Sequence, residues 1–164
     1  MHDFFGALTS GVKNTAIPEE HNYFGKLIGD WRFDWIDHHT PRTVKGEWHF
    51  SWVLEGAAVQ DVFICPSRDT RDENPQPDGE YGTTFRVYNP NTTAWDIAYC
   101  CTGRITRLEA RKQGDRIVLT NIDYDKEKWV FAEIEDDYFH WQNVTVKDNG
   151  EWYVNADLYA KRII

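Results

Sequence analysis

A regular alternation of apolar and polar residues, carried largely by aromatic side chains, constrains this chain more than any other feature. In VKGEWHFSWVLEG, residues 44–56, the rings of Trp48, Phe50 and Trp52 recur at every second position. Residues 31–35 repeat the pattern one segment earlier. Successive side chains of a β-strand point to opposite faces, so this alternation predicts half-buried antiparallel strands.

Short alternating segments continue to the end of the chain, and most are separated by turn sequences. Asn89-Pro90 opens one turn, and Asn149-Gly150 is a strong hairpin signal. We count about ten strands, with no helical periodicity after Trp31. So many consecutive strands predict an all-β fold, a single closed antiparallel up-and-down barrel in which no sheet edge is left exposed. A two-sheet sandwich is the alternative.

The segment before the first strand has a different pattern. Pro18, followed by two glutamates, is a good helix start, and a following glycine, Gly25 or Gly29, would end the helix. We therefore expect one domain over residues 1–164. Within it, residues 1–29 form a short N-terminal helical cap and residues 30–164 form the barrel.

Composition and charge limit the classes of partner and the compartment. The 164 residues carry a formal charge of −9, which disfavours nucleic acid and membrane surfaces as partners. The N-terminal residues lack the long apolar core of a signal peptide, and the three cysteines have no framework spacing. We expect a cytoplasmic protein. No Cys-x-x-Cys or His-x-x-x-His pattern occurs, so no metal site is predicted.

A glycine and a tryptophan stand where the helical segment meets the first strand, in Gly29-Asp30-Trp31. A short helix followed by Gly-x-Trp at the head of a strand resembles the calycin superfamily, which includes lipocalins, fatty-acid-binding proteins and avidins. The resemblance implies that Trp31 closes one end of the barrel. It also implies that a basic residue of the last strand packs across that ring, and Arg162 is on the appropriate face.

Further segments resemble a bacterial group of uncharacterised calycin-like β-barrel proteins and cover most of residues 24–162. They are GDWRFDW, GEWHFSWVLEGAAVQDV, YGTTFRVYNP, TAWDIAY, WVFAEI and FHWQNVTVKDNGEWYVNADLYAKR. This resemblance implies a lipocalin-like barrel and supplies no catalytic residues. The glycine-rich haem signature of nitrobindin-type calycins is missing after Trp31, so haem is not expected and no cofactor is predicted.

The inward faces of the strands supply the candidate site. If the apolar faces point inward, the rings either fill the barrel as core or line a cavity for a hydrophobic or aromatic ligand. A buried Arg107 would need a carboxylate or an anionic ligand, although Thr106, Leu108 and Ala110 make an equally plausible inner face. The candidate ligand-binding residues are Trp35, Trp48, Phe50, Trp52, Gln60, Tyr99, Arg107, Trp141 and Asn143.

Two other classes of function stay open. An isomerase, cyclase or hydratase would use His49 or His140 for proton transfer, with Arg86 or Arg107 orienting an anion. That enzyme requires the histidines to point inward, whereas the alternation places them opposite the tryptophans. An interaction module would instead use outward tyrosines of the last strand to form a homodimer.

The polar segment of residues 66–82, PSRDTRDENPQPDGEYG, is too long for a tight hairpin. It contains little apolar surface to bury, so we expect it to be mobile. Because it joins two strands, it would cover one open end of the barrel as a flap, with a passive surface loop as the alternative.

Overall fold

The computed structural model describes residues 2–164, and it is built almost entirely of β-strands. A short helix and a short strand come first, followed by two single 3₁₀ turns and ten longer strands. The elements are α1 (Phe4–Leu8), β1 (Thr9–Ser10), the 3₁₀ turns Glu19–His21 and Gly25–Leu27, β2 (Gly29–Asp37), β3 (Arg42–Val53), β4 (Ala58–Cys65), β5 (Glu80–Asn89), β6 (Ala94–Cys101), β7 (Arg104–Gln113), β8 (Arg116–Asn121), β9 (Glu127–Ile134), β10 (Tyr138–Val146) and β11 (Trp152–Arg162).

Strands β2 to β11 close into one antiparallel barrel. Each pairs with its neighbour in the sequence, and the ring is completed where the last strand pairs with the first. At this seam Leu158 lies opposite Trp35, and Arg162 lies opposite Trp31. The predicted all-β, up-and-down barrel of ten strands is therefore confirmed, and the sandwich is excluded. The additional strand β1 pairs with the end of β3.

The alternation in β3 follows the predicted faces. Trp48, Phe50 and Trp52 point into the barrel and are almost fully buried. They pack with rings from the neighbouring strands; the Trp48 and Phe63 ring centres, for example, are 5.0 Å apart. Because the rings fill the interior next to the N-terminal cap, this half of the barrel is a solid core.

The N-terminal cap closes that end, although not as the single helix expected from Pro18. The chain makes two 3₁₀ turns, and the Asn22 side chain accepts the Gly25 backbone N–H at 3.1 Å at the start of the second. This arrangement buries Phe24 and Leu27 completely against the barrel. Burial of these two side chains outweighs the preference of the segment for a continuous helix.

Trp31 and Arg162 form the contact that the calycin resemblance implies. The buried Trp31 indole donates a hydrogen bond of 2.7 Å to the carbonyl of Leu27 in the cap. The Arg162 guanidinium packs over the Trp31 ring and donates to the carbonyls of Lys26, Ile28 and Asp136, each at 2.6 Å. One basic side chain thus ties the last strand to the cap.

The segment between β4 and β5 is held by polar contacts. Ser67 is buried, and its N–H donates to the Lys45 carbonyl at 2.9 Å. Arg68 pairs with Glu47, a carboxylate buried on the outer face of β3, and Asp69 accepts a hydrogen bond of 3.1 Å from Arg32. The expectation of mobility considered only apolar burial and left out these ion pairs. Residues 80–82 of the predicted flap belong to β5.

Candidate ligand-binding cavity

The half of the barrel away from the cap contains a cavity of about 820 Å³ that opens to solvent. This volume lies within the range of about 300–1,000 Å³ that is typical of small-molecule sites. The lining extends from the inward face of the strands to the segment between β4 and β5, which contributes Arg71, Gln76 and Asp78 at the mouth. Core and cavity, the two alternatives for the aromatic interior, therefore both occur, in opposite halves of the barrel.

Aromatic rings from several strands form the cavity wall. Trp141 lies between Trp35 and Trp129, with ring-centre distances of 5.7 Å and 6.1 Å. Trp48 and Phe63 continue the wall towards the core. Because each ring is held by neighbouring rings, the wall presents a fixed apolar surface suited to a flat ligand.

A buried arginine and a buried aspartate meet at the inner end of the cavity. Arg86, on β5, is 2% exposed, and its Nη1 lies 2.6 Å from Oδ2 of Asp61 on β4. The rings of Phe24 and Phe50 flank the guanidinium at 5.2 Å and 5.4 Å. The second carboxylate oxygen of Asp61 accepts the Thr84 backbone N–H at 3.1 Å. The charges compensate each other, as buried ions require.

Three nitrogen atoms around this end of the cavity have hydrogen atoms but no aligned acceptor in the described part of the chain. They are Nε and Nη1 of Arg86 and Nε1 of Trp48. Nη1 of Arg86 faces Oδ2 of Asp61 at 2.6 Å in the ion pair, and neither atom has another partner, so Nε of Arg86 and Nε1 of Trp48 are the donors left over. Buried polar groups are normally satisfied, so donors left over beside a cavity point to an acceptor supplied by its contents.

The cavity mouth carries a second charged group, formed by Tyr99, Glu80 and Arg104. The Tyr99 hydroxyl donates to Glu80 at 3.2 Å, and Arg104 pairs with the same carboxylate. Burial, together with the negative charge of Glu80, raises the pKa of Tyr99 well above its ordinary value. Gly82 makes room for the ring, because a Cβ there would lie 2.5 Å from the Tyr99 oxygen. Tyr99 is therefore a neutral donor at physiological pH.

Arg42 joins the segment between β4 and β5 to the mouth of the barrel. Its Nη1 donates to Gln76 at 2.6 Å, and its guanidinium pairs with Asp78 and, at 3.1 Å, with Asp37 of the adjacent strand. Arg71 lies over the ring of Tyr81, 5.3 Å from its centre. The segment thus forms part of the cavity mouth and is fastened there mainly by one arginine.

Five of the nine predicted ligand-binding residues line this cavity: Trp35, Trp48, Tyr99, Trp141 and Asn143. Phe50 and Trp52 also point inward, but the structure places them in the solid core next to the cap. Phe50 lies opposite Gly29 and Trp52 lies beyond it, so both are at the closed end of β3.

Gln60 and Arg107, predicted as ligand-binding residues of the inner face, lie on the outer face of the barrel. Gln60 donates to the Thr83 hydroxyl at 2.9 Å on the outside, because Val59, Asp61 and Phe63 form the inner face of β4. Arg107 is exposed and pairs with Asp123 at 2.6 Å, while Leu108 and Ala110 are buried. A one-residue difference in parity exchanges the two faces of a strand, and a single strand does not always identify the inner one.

Arg86 and Asp61, rather than Arg107, carry the buried charges inside the barrel. The sequence suggests a role for Arg86 only in the enzyme alternative, and Phe85 and Val87 give the opposite face of its strand an apolar pattern. A usable signal was present in β4, where Asp61 stands between Val59 and Phe63 on an apolar face. A carboxylate in such a position needs a cationic partner.

The histidines considered for catalysis lie on the outer surface. His49 Nδ1 is 2.6 Å from Asp30, and His140 Nε2 is 2.5 Å from Asp157, which also contacts His38 at 2.7 Å. No histidine of residues 2–164 lines the cavity. The proton-transfer hypothesis that required inward imidazoles therefore loses its catalytic groups.

Comparison with known proteins gives no family assignment: no family model matches the chain, and neither does any curated protein sequence. Across residues 2–164, no helix is long and apolar enough to cross a membrane. The same residues contain no group of three or more histidine, cysteine or acidic side chains arranged to hold a metal ion.

Proposed function

We propose that this chain binds a small hydrophobic or aromatic molecule in the cavity of the barrel. The observation that carries the proposal is the aromatic wall around Trp35, Trp129 and Trp141, which surrounds a space of about 820 Å³. An aromatic wall with a few polar groups at the mouth is the usual lining of a small-molecule site. The cap closes one end of the barrel and the other end is open, as expected of a ligand-binding cavity with one entrance.

The calycin superfamily is the proposed family of the chain, with the bacterial group of uncharacterised calycin-like barrels as its proposed relatives. Support comes from the closed ten-strand barrel and from the contact of Arg162 with Trp31 beside Gly29. A cytoplasmic location is proposed from the cysteine usage of the sequence alone.

The test is to fill the cavity without disturbing its wall. Thr106 lines the cavity from β7, so Thr106→Trp places an indole in the space that a ligand would occupy. Neutral aromatic probes, 2-ethylnaphthalene and 2-acetylnaphthalene, are titrated against the tryptophan fluorescence of the protein. We expect the variant to bind both probes at least about tenfold more weakly, because added volume in a site excludes its ligand.

Thr43→Trp is the matched control, since Thr43 is exposed on the outer face of β3 and the substitution adds the same fluorophore. The control is expected to bind as the unmodified protein does. Urea unfolding establishes that both variants are folded. If Thr106→Trp binds the probes unchanged, binding takes place elsewhere and the proposal is wrong.

A further inference from the structure

Two buried hydrogen-bond donors at the inner end of the cavity have no partner within residues 2–164. Arg86 is 2% exposed and Trp48 is 5% exposed. Nη1 of Arg86 faces Oδ2 of Asp61 at 2.6 Å, whereas Nε of Arg86 and Nε1 of Trp48 lack an acceptor within residues 2–164. Both side chains line the cavity, and the Phe50 ring adjoins both. A ligand atom that accepts hydrogen bonds would satisfy donors that the protein leaves unpaired.

The charges around the cavity indicate that this acceptor is uncharged. Asp61 already neutralises Arg86 at 2.6 Å, so a carboxylate at the same place would add an uncompensated negative charge to a buried site. The remaining lining charges also balance, with Arg42, Arg71 and Arg104 matched by Asp78, Glu80 and Glu127. The cavity therefore has no excess of positive charge to attract an anion.

The unpaired donors at the inner end and the aromatic wall nearer the mouth together define a class of ligand; this inference rests on the proposed binding function. We infer that the ligand is an uncharged aromatic compound bearing a carbonyl-type oxygen. The oxygen accepts hydrogen bonds from Arg86 and Trp48 at the inner end, and the ring packs against the tryptophan wall nearer the mouth. A ketone, an ester or an amide meets this requirement, whereas a hydrocarbon or a carboxylate does not.

Three probes with the same ring system separate these chemistries. 2-Acetylnaphthalene carries a neutral acceptor, 2-naphthoate carries an anionic one at neutral pH, and 2-ethylnaphthalene carries none. We expect the ketone to bind about tenfold more tightly than the hydrocarbon, as one well-made buried hydrogen bond allows. The carboxylate is expected to bind more weakly than the ketone. Dissociation constants come from tryptophan fluorescence titration of the full chain.

Two variants test whether Arg86 and Trp48 cause the preference for the ketone over the hydrocarbon. The double variant Arg86→Met/Asp61→Asn removes the guanidinium without leaving a buried charge unpaired, and the amide oxygen introduced by Asp61→Asn still offers an acceptor to the Thr84 N–H. It should reduce the ketone preference from about tenfold to about threefold, because the Trp48 donor remains. Trp48→Phe keeps a ring in the wall, removes one donor and should lower the ketone preference about threefold. This variant keeps the inference testable if the double variant fails to fold.

A matched pair on the outside of the barrel provides the control. Arg107→Met/Asp123→Asn makes the same chemical change in an exposed ion pair, and it should leave all three affinities unchanged. The inference is overturned if 2-naphthoate binds most tightly, if the three probes bind equally, or if the ketone preference is undiminished in Arg86→Met/Asp61→Asn. If none of the probes binds the unmodified protein, the proposed function itself fails, and the inference fails with it.

Discussion

The guanidinium carbon of Arg162 lies 4.3 Å from the centre of the Trp31 ring. The two residues come from opposite ends of the barrel sequence, and both also bind the backbone of the cap, Trp31 through Leu27 and Arg162 through Lys26 and Ile28. This contact fastens the closed end of the barrel. We therefore expect substitutions at this contact to lower the stability of the protein.

Arg162→Gln should lower the free energy of unfolding by about 2 kcal/mol, because hydrogen bonds from a charged donor to three backbone carbonyls are lost together. Urea unfolding followed by tryptophan fluorescence measures the change. Lys161→Gln is the control, since this neighbouring side chain is exposed and should alter stability by less than about 0.5 kcal/mol. Equal stabilities of the two variants would show that Arg162 does not fasten this end.

Gly29→Ala should also destabilise the protein, by about 2–3 kcal/mol. Gly29 has a φ of +127°, which L-residues rarely adopt, and an added Cβ would lie 2.5 Å from Nη1 of Arg162. Gly103→Ala gives the cost of a positive φ without crowding, because Gly103 has a φ of +82° with open space around it. Its cost should be only about 1 kcal/mol. Similar losses at both positions would mean that the Arg162 contact contributes nothing to the requirement for glycine.

Asp78→Asn should speed the exchange of bound 2-acetylnaphthalene by about two- to fivefold, because an exposed ion pair that fastens the cavity mouth is weakened. Stopped-flow fluorescence measures the rate. Asp148→Asn, which disrupts the exposed pair with Lys126 elsewhere, is the control and should exchange at the original rate. An unchanged rate in Asp78→Asn would identify the segment as a passive loop.

The same ion pair predicts a pH dependence. The hydrogen bond from Arg42 holds the pKa of Asp78 below its ordinary value of 3.8. A carboxyl group whose pKa is lower in the folded state stabilises that state above its unfolded pKa, and this contribution is lost as the pH falls through the folded pKa. The exchange rate of bound 2-acetylnaphthalene should therefore be constant from neutral pH down to about pH 5 and rise only below about pH 4. In Asp78→Asn this acid acceleration should be smaller.

Cys65 should resist alkylation although it lines the cavity. Burial, reinforced by the carboxylates of Glu80 and Asp78, raises the pKa of the Cys65 thiol from 9.0 to about 12. The thiolate is the reactive form, so iodoacetamide at pH 8 should modify Cys65 at least about a hundredfold more slowly in the folded protein than in urea. Mass spectrometry of the peptide containing Cys65 measures both rates. Comparable rates would show that the thiol is neither buried nor electrostatically suppressed.

The barrel could be predicted from the sequence because the signals for strands and turns are local. The alternation in β3 and the Asn149-Gly150 turn each depend on a few adjacent residues, and many such signals agreed on ten strands. The contact of Arg162 with Trp31 came from the calycin resemblance, since no local pattern relates residues so far apart in the chain. Fold class was therefore predictable, whereas long-range contacts needed either a resemblance or the structure.

The candidate site was predictable only where a strand had a clear apolar face. Trp35, Trp48 and Trp141 were placed in the interior correctly, but Arg107 was not, because both faces of β7 contain polar and apolar residues. Which strand supplies the buried arginine depends on pairing across strands, where Asp61 and Arg86 meet. The polar anchoring of residues 66–79 was missed for the same reason, since its partners Glu47 and Arg42 lie on a different element.

The pairing of β2 with β11 has a consequence for the order in which the chain folds. In residues 2–164, the other barrel pairings join strands that are neighbours in the sequence, so hairpins can form as the chain leaves the ribosome. The seam, in contrast, joins Trp31 to Arg162 across nearly the whole chain and must wait for the last strand. Until then the first strand has an open edge, so a nascent chain lacking β11 is the species most exposed to aggregation and to chaperone binding.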